Sequence, residues 1–265
     1  MKIAPIVMLA AGLLLMGGGC SSPQVDEIDS MPVVEQTYYI ETHADHFLKE
    51  MGDYLKSAAA FTVHAESSYD AADDNGQTIR YGGTTNVALR RPNGLRSSFN
   101  GDERQSQMFY DGKTVTIYDA AVNMYAVNEV PPDIDSALDM IFDKFGFSVP
   151  LSDLAYADPY SILIENVIEG RWVGLHSIAG VPCNHLAFTQ ELIDWQIWIE
   201  EGAQPVPRQI LITYKDEPGW PQYIARLKDW DFQPQFTDDY FQFQPPAGSD
   251  EMEFLVNSEM EVDDE

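Results

Sequence analysis

Two small groups of residues have the types and spacing that chemistry requires. In the first, His43, His46 and Glu50 recur at helical spacing, so one helix face would present two imidazoles and a carboxylate to a metal ion. The same stretch also resembles a helix start, because Asp45 follows Thr42 at the spacing of a capping box. No wider metal-binding motif surrounds these residues. We therefore interpret them as a helix start and predict no metal site.

Cys183 and His185 form the second group. Residues two apart in a predicted strand face the same side, so a thiolate and its base could meet there. A third orienting residue is not evident, and a buried free cysteine behaves as a small hydrophobic residue. The sequence also has no nucleophile elbow, glycine-rich phosphate loop or His-Glu-x-x-His motif. We predict that the protein is not an enzyme and needs no cofactor, and a Cys/His hydrolase is the least favoured hypothesis.

The N-terminus has the features of an export signal. An apolar run over residues 3–16 follows Lys2 and ends in small residues before Cys20. This pattern predicts a signal peptide at residues 1–19 and lipidation of Cys20. Because Gly17 occupies the position where leucine is usual, cleavage nearby without lipidation is the alternative. Ser21 is not the aspartate that retains lipoproteins at the inner membrane, so we expect the periplasmic side of the envelope, with an anchor in the outer membrane.

The chain is strongly acidic. It has 43 acidic and 15 basic residues and a net charge of −28, a field that repels nucleic acid and excludes it as a partner. Five arginines nevertheless fall within residues 80–104, and on adjacent strands they could form a basic strip that binds a phosphate or carboxylate head group. Alternatively, they face solvent and pair with neighbouring carboxylates. The five are Arg80, Arg90, Arg91, Arg96 and Arg104.

Hydrophobic periodicity predicts the elements that position these residues. Helical spacing predicts a first helix from Thr42 to about Ala60, a second over residues 134–145 and a short helical piece within 151–164. Period-two alternation predicts the strands, and two-residue turns such as Asp111-Gly112 make them an antiparallel meander. The predicted strands are 61–69, 77–90, 94–100, 104–110, 113–118, 122–128, 171–178, 184–189, 193–199, 209–214 and 222–232.

These elements predict one α+β domain, mostly antiparallel β, over residues 42–245. Many short strands with helical insertions indicate a strongly curved sheet or unclosed barrel whose concave face is covered by helices. Residues 20–41 lack a sustained period and are predicted to be a lipidated tether. Residues 246–265 are acidic and are predicted to be a disordered tail.

Three stretches of this domain resemble a known family. They are LRRPNGLR at 89–96, FYDGKTV at 109–115, and GVPCNHLAF at 180–188 followed by DWQIWI at 194–199. Together they resemble the domain-of-unknown-function family 2092 of predicted periplasmic proteins. More distantly, the layout is similar to the lipoprotein carriers LolA and LolB, which implies an unclosed barrel with helices as a lid over an apolar cavity. The resemblance supplies no catalytic residues.

Three functional hypotheses follow. The leading one is an envelope lipoprotein that binds a lipid, an acyl chain or an acylated protein in an apolar cavity between sheet and helices. The alternative is a scaffold or interaction protein with a filled core, since packing is the usual fate of apolar surfaces. The third is the hydrolase described above. Under the leading hypothesis the predicted ligand-binding residues are Trp195, Ile197, Ile199, Leu138, Ile141, Phe142 and Phe145.

Overall fold

The fold is a single large sheet with short helices against one face. The computed structural model describes residues 39–73, 75–145 and 151–253. Its helices are α1 (Thr42–Ser57), α2 (Ile134–Phe145) and α3 (Pro159–Ile164), with a 3₁₀ turn at Ser152–Leu154. The strands are β1 (Tyr39–Ile40), β2 (Ala60–Ala72), β3 (Thr78–Arg90), β4 (Gly94–Gly101), β5 (Gln105–Tyr110), β6 (Thr114–Asp119), β7 (Met124–Glu129), β8 (Glu169–Ile178), β9 (Val181–Thr189), β10 (Ile193–Glu200), β11 (Pro207–Tyr214), β12 (Gln222–Asp231) and β13 (Asp250–Glu251).

The sheet is open at both edges. Its strand order is β1-β8-β9-β10-β11-β12-β2-β3-β4-β5-β6-β7-β13, and the two outermost strands do not pair with each other. Both outermost strands, β1 and β13, run parallel to their neighbours, and the remaining pairs are antiparallel. Tight turns produce this meander: the Asp111 carboxylate accepts hydrogen bonds from the N–H groups of Lys113 and Thr114, and Gly112 has a φ of 85°.

Alternation along each strand divides the sheet into an apolar concave face and a more polar convex face. On β10, Trp195 and Ile197 are buried towards the helices, whereas Gln196 between them faces the other side. Helix α1 lies against β8, β9 and β10 and also contacts α3. The prediction of a mostly antiparallel, curved and unclosed sheet with helices is therefore confirmed.

The start of α1 differs from the prediction. Glu41 is the N-cap residue and its side chain makes no capping hydrogen bond, so the capping box inferred from Thr42 and Asp45 is wrong. The Asp45 carboxylate instead accepts a hydrogen bond from the Tyr160 hydroxyl of α3. The carboxylate therefore binds a residue that is distant in sequence and not the local backbone, and sequence spacing cannot reveal such a partner.

The two ends of the described chain extend the sheet. Strand β1 lies within residues 20–41, for which the sequence predicted a tether, and β13 lies within the predicted tail 246–265. Between β12 and β13 the chain crosses the convex face, where the Phe241 ring is fully buried and Phe243 packs on Phe109 and Tyr118. The predicted signal peptide, Cys20 and residues 254–265 lie outside the described residues. Within the described part, no helix is long and apolar enough to cross a membrane.

Candidate functional site

The interior between the concave face and the helices contains the predicted ligand-binding residues of β10. Trp195 is 1% exposed and stacks on Phe188, with ring centroids 4.2 Å apart. Ile197 and Ile199 are fully buried beside it in the same apolar cluster. Trp195 Nε1 is buried without a hydrogen-bond partner among the described residues.

Helix α2 contributes the other predicted residues. Leu138 and Ile141 are buried in the same cluster, and Phe142 is half-buried. Phe145 ends the helix, and its side chain is outside the described part. The N-terminal end of α2 is attached to the sheet, because the Ile134 N–H donates to the Pro92 carbonyl at 3.1 Å.

This interior is closely packed in the described residues. Helix α1 contributes Leu48, Met51 and Leu55 to the cluster, and β2 contributes Phe61 and Val63. A groove of about 660 Å³ lies on the opposite, convex face of the sheet. It is lined mainly by polar side chains of β2, β3, β4 and β12 and by Tyr240. Within the described part, the groove therefore lies on the face of the sheet opposite the predicted ligand-binding residues.

Arg91 reaches the interior from the end of β3, a central strand of the sheet. Its Nη1 donates to the Ala155 carbonyl at 2.8 Å, while Nε and Nη2 are buried and have no partner among the described residues. Burial lowers the pKa of Arg91. Burial also raises the pKa of Asp135, whose carboxylate accepts a hydrogen bond from the Ala157 N–H at 2.8 Å. Arg91 follows the last residue of β3, where strand alternation ends, so its direction could not be inferred from the strand pattern.

The structure does not bring the five predicted arginines into one strip. Arg80 forms an ion pair with Asp70, and its side chain is exposed. Three others lie over aromatic rings: Arg90 over Phe241, Arg96 over Phe109 and Tyr240, and Arg104 over Phe99. Each of these four therefore has a local partner, and Arg91 alone of the five has buried donors without one.

Cys183 and His185 are not arranged as a nucleophile and its base. The Cys183 thiol is fully buried and donates to the Val181 carbonyl, and burial raises its pKa. His185 stacks on Trp198 with ring centroids 4.0 Å apart, and burial lowers the pKa of its imidazole. Its Nδ1 lies 3.0 Å from Nδ1 of His176, a neighbour that sequence reasoning missed because it is on a different strand.

The two histidines at the start of α1 contact aromatic and acidic side chains. His43 packs beside Phe47 and Trp172, and His46 Nε2 lies 3.5 Å from a carboxylate oxygen of Glu50. In the ranges 39–73, 75–145 and 151–253, no group of three or more potential metal-ligating side chains comes together. The histidines are therefore part of an aromatic and charged surface of α1.

An open, curved antiparallel sheet with helices over its apolar face defines the structural class of the protein. The chain belongs to the family of predicted periplasmic proteins called DUF2092, whose model matches residues 44–255. The resemblance inferred from the three sequence stretches is thus confirmed. No curated protein sequence matches the chain.

Several solved structures are similar to this chain. An uncharacterized conserved protein from Thermus thermophilus has a TM-score of 0.47 and 11% identity, covering 80% of this chain and 99% of that one. The lipoprotein LppX of Mycobacterium tuberculosis has a TM-score of 0.44 and 12% identity, covering 73% and 97%. A LolA superfamily protein from Nitrosomonas europaea has a TM-score of 0.38 and 12% identity, covering 76% and 98%. These values are too low to transfer a function to this chain.

Proposed function

We propose that this protein binds the acyl chain of a lipid, or of an acylated protein, between the concave face of its sheet and its helices. The observation that supports this proposal is the continuous apolar interior shared by β10, α1 and α2. Helices α1 and α2 pack on this hydrophobic surface. Among the described residues, the interior contains no arrangement of catalytic groups. The role is non-enzymatic binding within the cell envelope.

An acyl chain would occupy this interior by displacing side chains of α2 from the sheet. Each buried CH₂ group of the chain contributes about 0.8 kcal/mol, so a dozen groups contribute on the order of 10 kcal/mol. Displacing Ile134, Leu138 and Ile141, which are buried at present, costs about 2 kcal/mol for each. The exchange therefore leaves several kcal/mol to offset the loss of freedom on binding.

The proposed location is the periplasmic side of the envelope, with lipidation of Cys20 as the anchor. Residues 21–38 separate that cysteine from β1 at the sheet edge. Fully extended, such a segment reaches roughly 60 Å, at about 3.3 Å per residue. It would hold the domain clear of the lipid head groups and allow it to approach ligands at the membrane surface.

Quenching of Trp195 by brominated fatty acids tests the proposed site. Bromine quenches tryptophan fluorescence only at close range, and Trp195 lies within the interior, whereas Trp220 is 60% exposed. We expect quenching in the wild type that is strongly reduced in Trp195→Phe and retained in the control Trp220→Phe. The phenylalanine removes no hydrogen bond, because Trp195 Nε1 has no partner among the described residues. Unchanged quenching in Trp195→Phe would place the ligand elsewhere.

Native mass spectrometry of the domain, purified without detergent, provides an independent test. A discrete adduct of lipid mass, removed by delipidation and restored by added lipid, would support acyl-chain binding. A bare polypeptide mass that takes up no fatty acid would contradict it.

The packing of the interior favours a second candidate function, an interaction protein with a filled core. Trp195, Ile197 and Ile199 are already fully packed without a ligand. This candidate predicts no lipid uptake and a specific partner recovered by crosslinking from intact cells.

A further inference from the structure

The guanidinium of Arg91 has one occupied and one unpartnered edge. Nη1 is used by the Ala155 carbonyl, but the edge formed by Nε and Nη2 is buried without a partner among the described residues. Buried polar groups are nearly always hydrogen-bonded, and buried charges are nearly always paired. Two buried and unpaired donors on one partly buried cation therefore call for an explanation.

The corresponding edge of Arg80 binds a carboxylate in the same molecule. Its Nε donates to Asp70 Oδ1 at 2.8 Å and its Nη2 donates to Asp70 Oδ2 at 3.0 Å. The two parallel N–H groups match the two oxygens of a carboxylate, and they match a phosphate equally well. The edge that Arg91 leaves unpartnered consists of the same two atoms.

Asp135 does not fill this role for Arg91. The two side chains interact electrostatically, yet they are not within ion-pair distance, and neither Nε nor Nη2 of Arg91 bonds to the Asp135 carboxylate. Asp135 instead accepts the Ala157 N–H. Within the part of the chain that the structure describes, Nε and Nη2 of Arg91 therefore have no anionic partner.

The surroundings of Arg91 continue into the apolar interior. Leu89 and Leu95, on either side of the β3–β4 turn, are buried in the main cluster. Helix α2 begins beside this turn, where the Ile134 N–H bonds to the Pro92 carbonyl. An anion bound at Arg91 would therefore have its attached chain beside the apolar surface that the proposed function uses.

We propose, resting on the acyl-chain site proposed above, that the ligand is an amphiphile with an anionic head, a carboxylate or a phosphate, and that Nε and Nη2 of Arg91 bind two oxygens of that head. The chain lies against the interior face of α2 and β10. Because the pair forms away from water, it is stronger than an equivalent pair at the surface. Arg91 thus selects an acidic amphiphile over a neutral one with the same chain.

Three ligands that share one chain length distinguish the contribution of the head group to affinity from that of the chain. Hexadecanoate, hexadecyl phosphate and hexadecanol are titrated into the wild type, Arg91→Gln and Arg80→Gln, with the tryptophan fluorescence of the protein as the signal. We expect the two anions to bind the wild type about tenfold to a hundredfold more tightly than hexadecanol, since a charged hydrogen-bonded pair contributes about 1.5 to 3 kcal/mol. Arg91→Gln should abolish this preference by lowering the affinity for the two anions towards the affinity for hexadecanol. Arg80→Gln removes the same charge from the exposed pair and should keep the preference.

The outcomes distinguish the inference from the proposed function. If all three ligands bind equally, or if Arg91→Gln keeps the preference for anions, the assignment of Arg91 is overturned while acyl-chain binding stands. If no ligand binds the wild type, acyl-chain binding itself is contradicted. If acetate or inorganic phosphate binds as tightly as the amphiphiles, the ligand of Arg91 is a free anion, and the proposal of an amphiphilic ligand is overturned.

A second variant keeps the test decisive if Arg91→Gln does not fold. Arg91→Lys retains the positive charge but lacks the paired donors. It should bind the anions more tightly than hexadecanol, but by a smaller factor than the wild type does, because the two-oxygen contact is lost. A full wild-type preference in Arg91→Lys would show that charge alone suffices and would refute the bidentate geometry.

Discussion

Close packing of α1 on α3 is tested by replacing Gly52 with alanine. The new Cβ would lie 2.6 Å from Tyr160 Cβ and 3.0 Å from Tyr160 N, which are distances that van der Waals contact does not allow. These atoms belong to the backbone and first side-chain carbon of α3, so a rotamer change cannot relieve the overlap and the helices must separate. Overpacking of this kind costs about 1 to 3 kcal/mol. Alanine gains about 1 kcal/mol in helix propensity over glycine. The variant should therefore be less stable by up to about 2 kcal/mol.

Urea unfolding of the wild type and Gly52→Ala measures this difference as a shift of the midpoint at constant slope. Gly82→Ala is the control, because its new Cβ would lie 3.6 Å from the nearest atom, an ordinary contact. Gly52→Ala should also weaken the hydrogen bond from Tyr160 to Asp45. A variant more stable than the wild type by about 1 kcal/mol would show helix propensity acting alone, and the close α1–α3 contact would be refuted.

Three further predictions concern Asp70, Cys183 and Phe241. The hydrogen bond from Arg80 lowers the pKa of Asp70, so this carboxylate stabilises the fold above its ordinary pKa of about 3.9, and the stability is lost as pH falls through the lowered value. The stability difference between the wild type and Asp70→Asn, from urea midpoints, should accordingly shrink below about pH 4, and a constant difference would contradict the ion pair. Burial raises the pKa of the Cys183 thiol, so a thiol reagent at pH 8 should react slowly with the native protein and rapidly in denaturant, whereas rapid native labelling would revive the hydrolase hypothesis. Phe241→Ala should cost about 3 kcal/mol, because the buried ring packs on Gly94 and beneath Arg90, and an unchanged urea midpoint would show that the C-terminal segment is not part of the fold.

The sheet could be predicted from the sequence because its signals are local. Asp111-Gly112 predicts a hairpin and the structure has one, and the alternation of Trp195 and Ile197 with polar neighbours predicts the concave face of β10. Short connections leave antiparallel pairing as the only geometry for consecutive strands, whereas the parallel pairs of β1 and β13 and the pairing of β12 with β2 join distant parts of the chain. The same local signals also predicted the bounds of α2.

The candidate site was less predictable because it depends on contacts between distant residues. Arg91 was assigned to a surface strip with its neighbours, yet it lies where a strand becomes a turn, and alternation no longer fixes its direction. Its partner Ala155 is 64 residues away in the sequence. Phe241 and Phe243 alternate with Gln242 and Gln244 just before two prolines, but the stretch is too short to have been predicted as a strand, so their packing on the convex face was missed.

The acidic surface and the buried Arg91 should act on different steps of ligand binding. A net charge of −28 repels an approaching anion over about one Debye length, roughly 8 Å at physiological salt, so added salt should speed the association of hexadecanoate. The bond to Arg91 forms in a buried site that salt screens weakly. The dissociation rate should therefore change little with salt, and the change of tryptophan fluorescence, recorded by stopped flow, measures both rates. Hexadecanol, which is uncharged, should show no acceleration and serves as the control. Dissociation of hexadecanoate that rises steeply with salt would mean that the head group remains exposed, because only a solvent-accessible ion pair is screened so strongly.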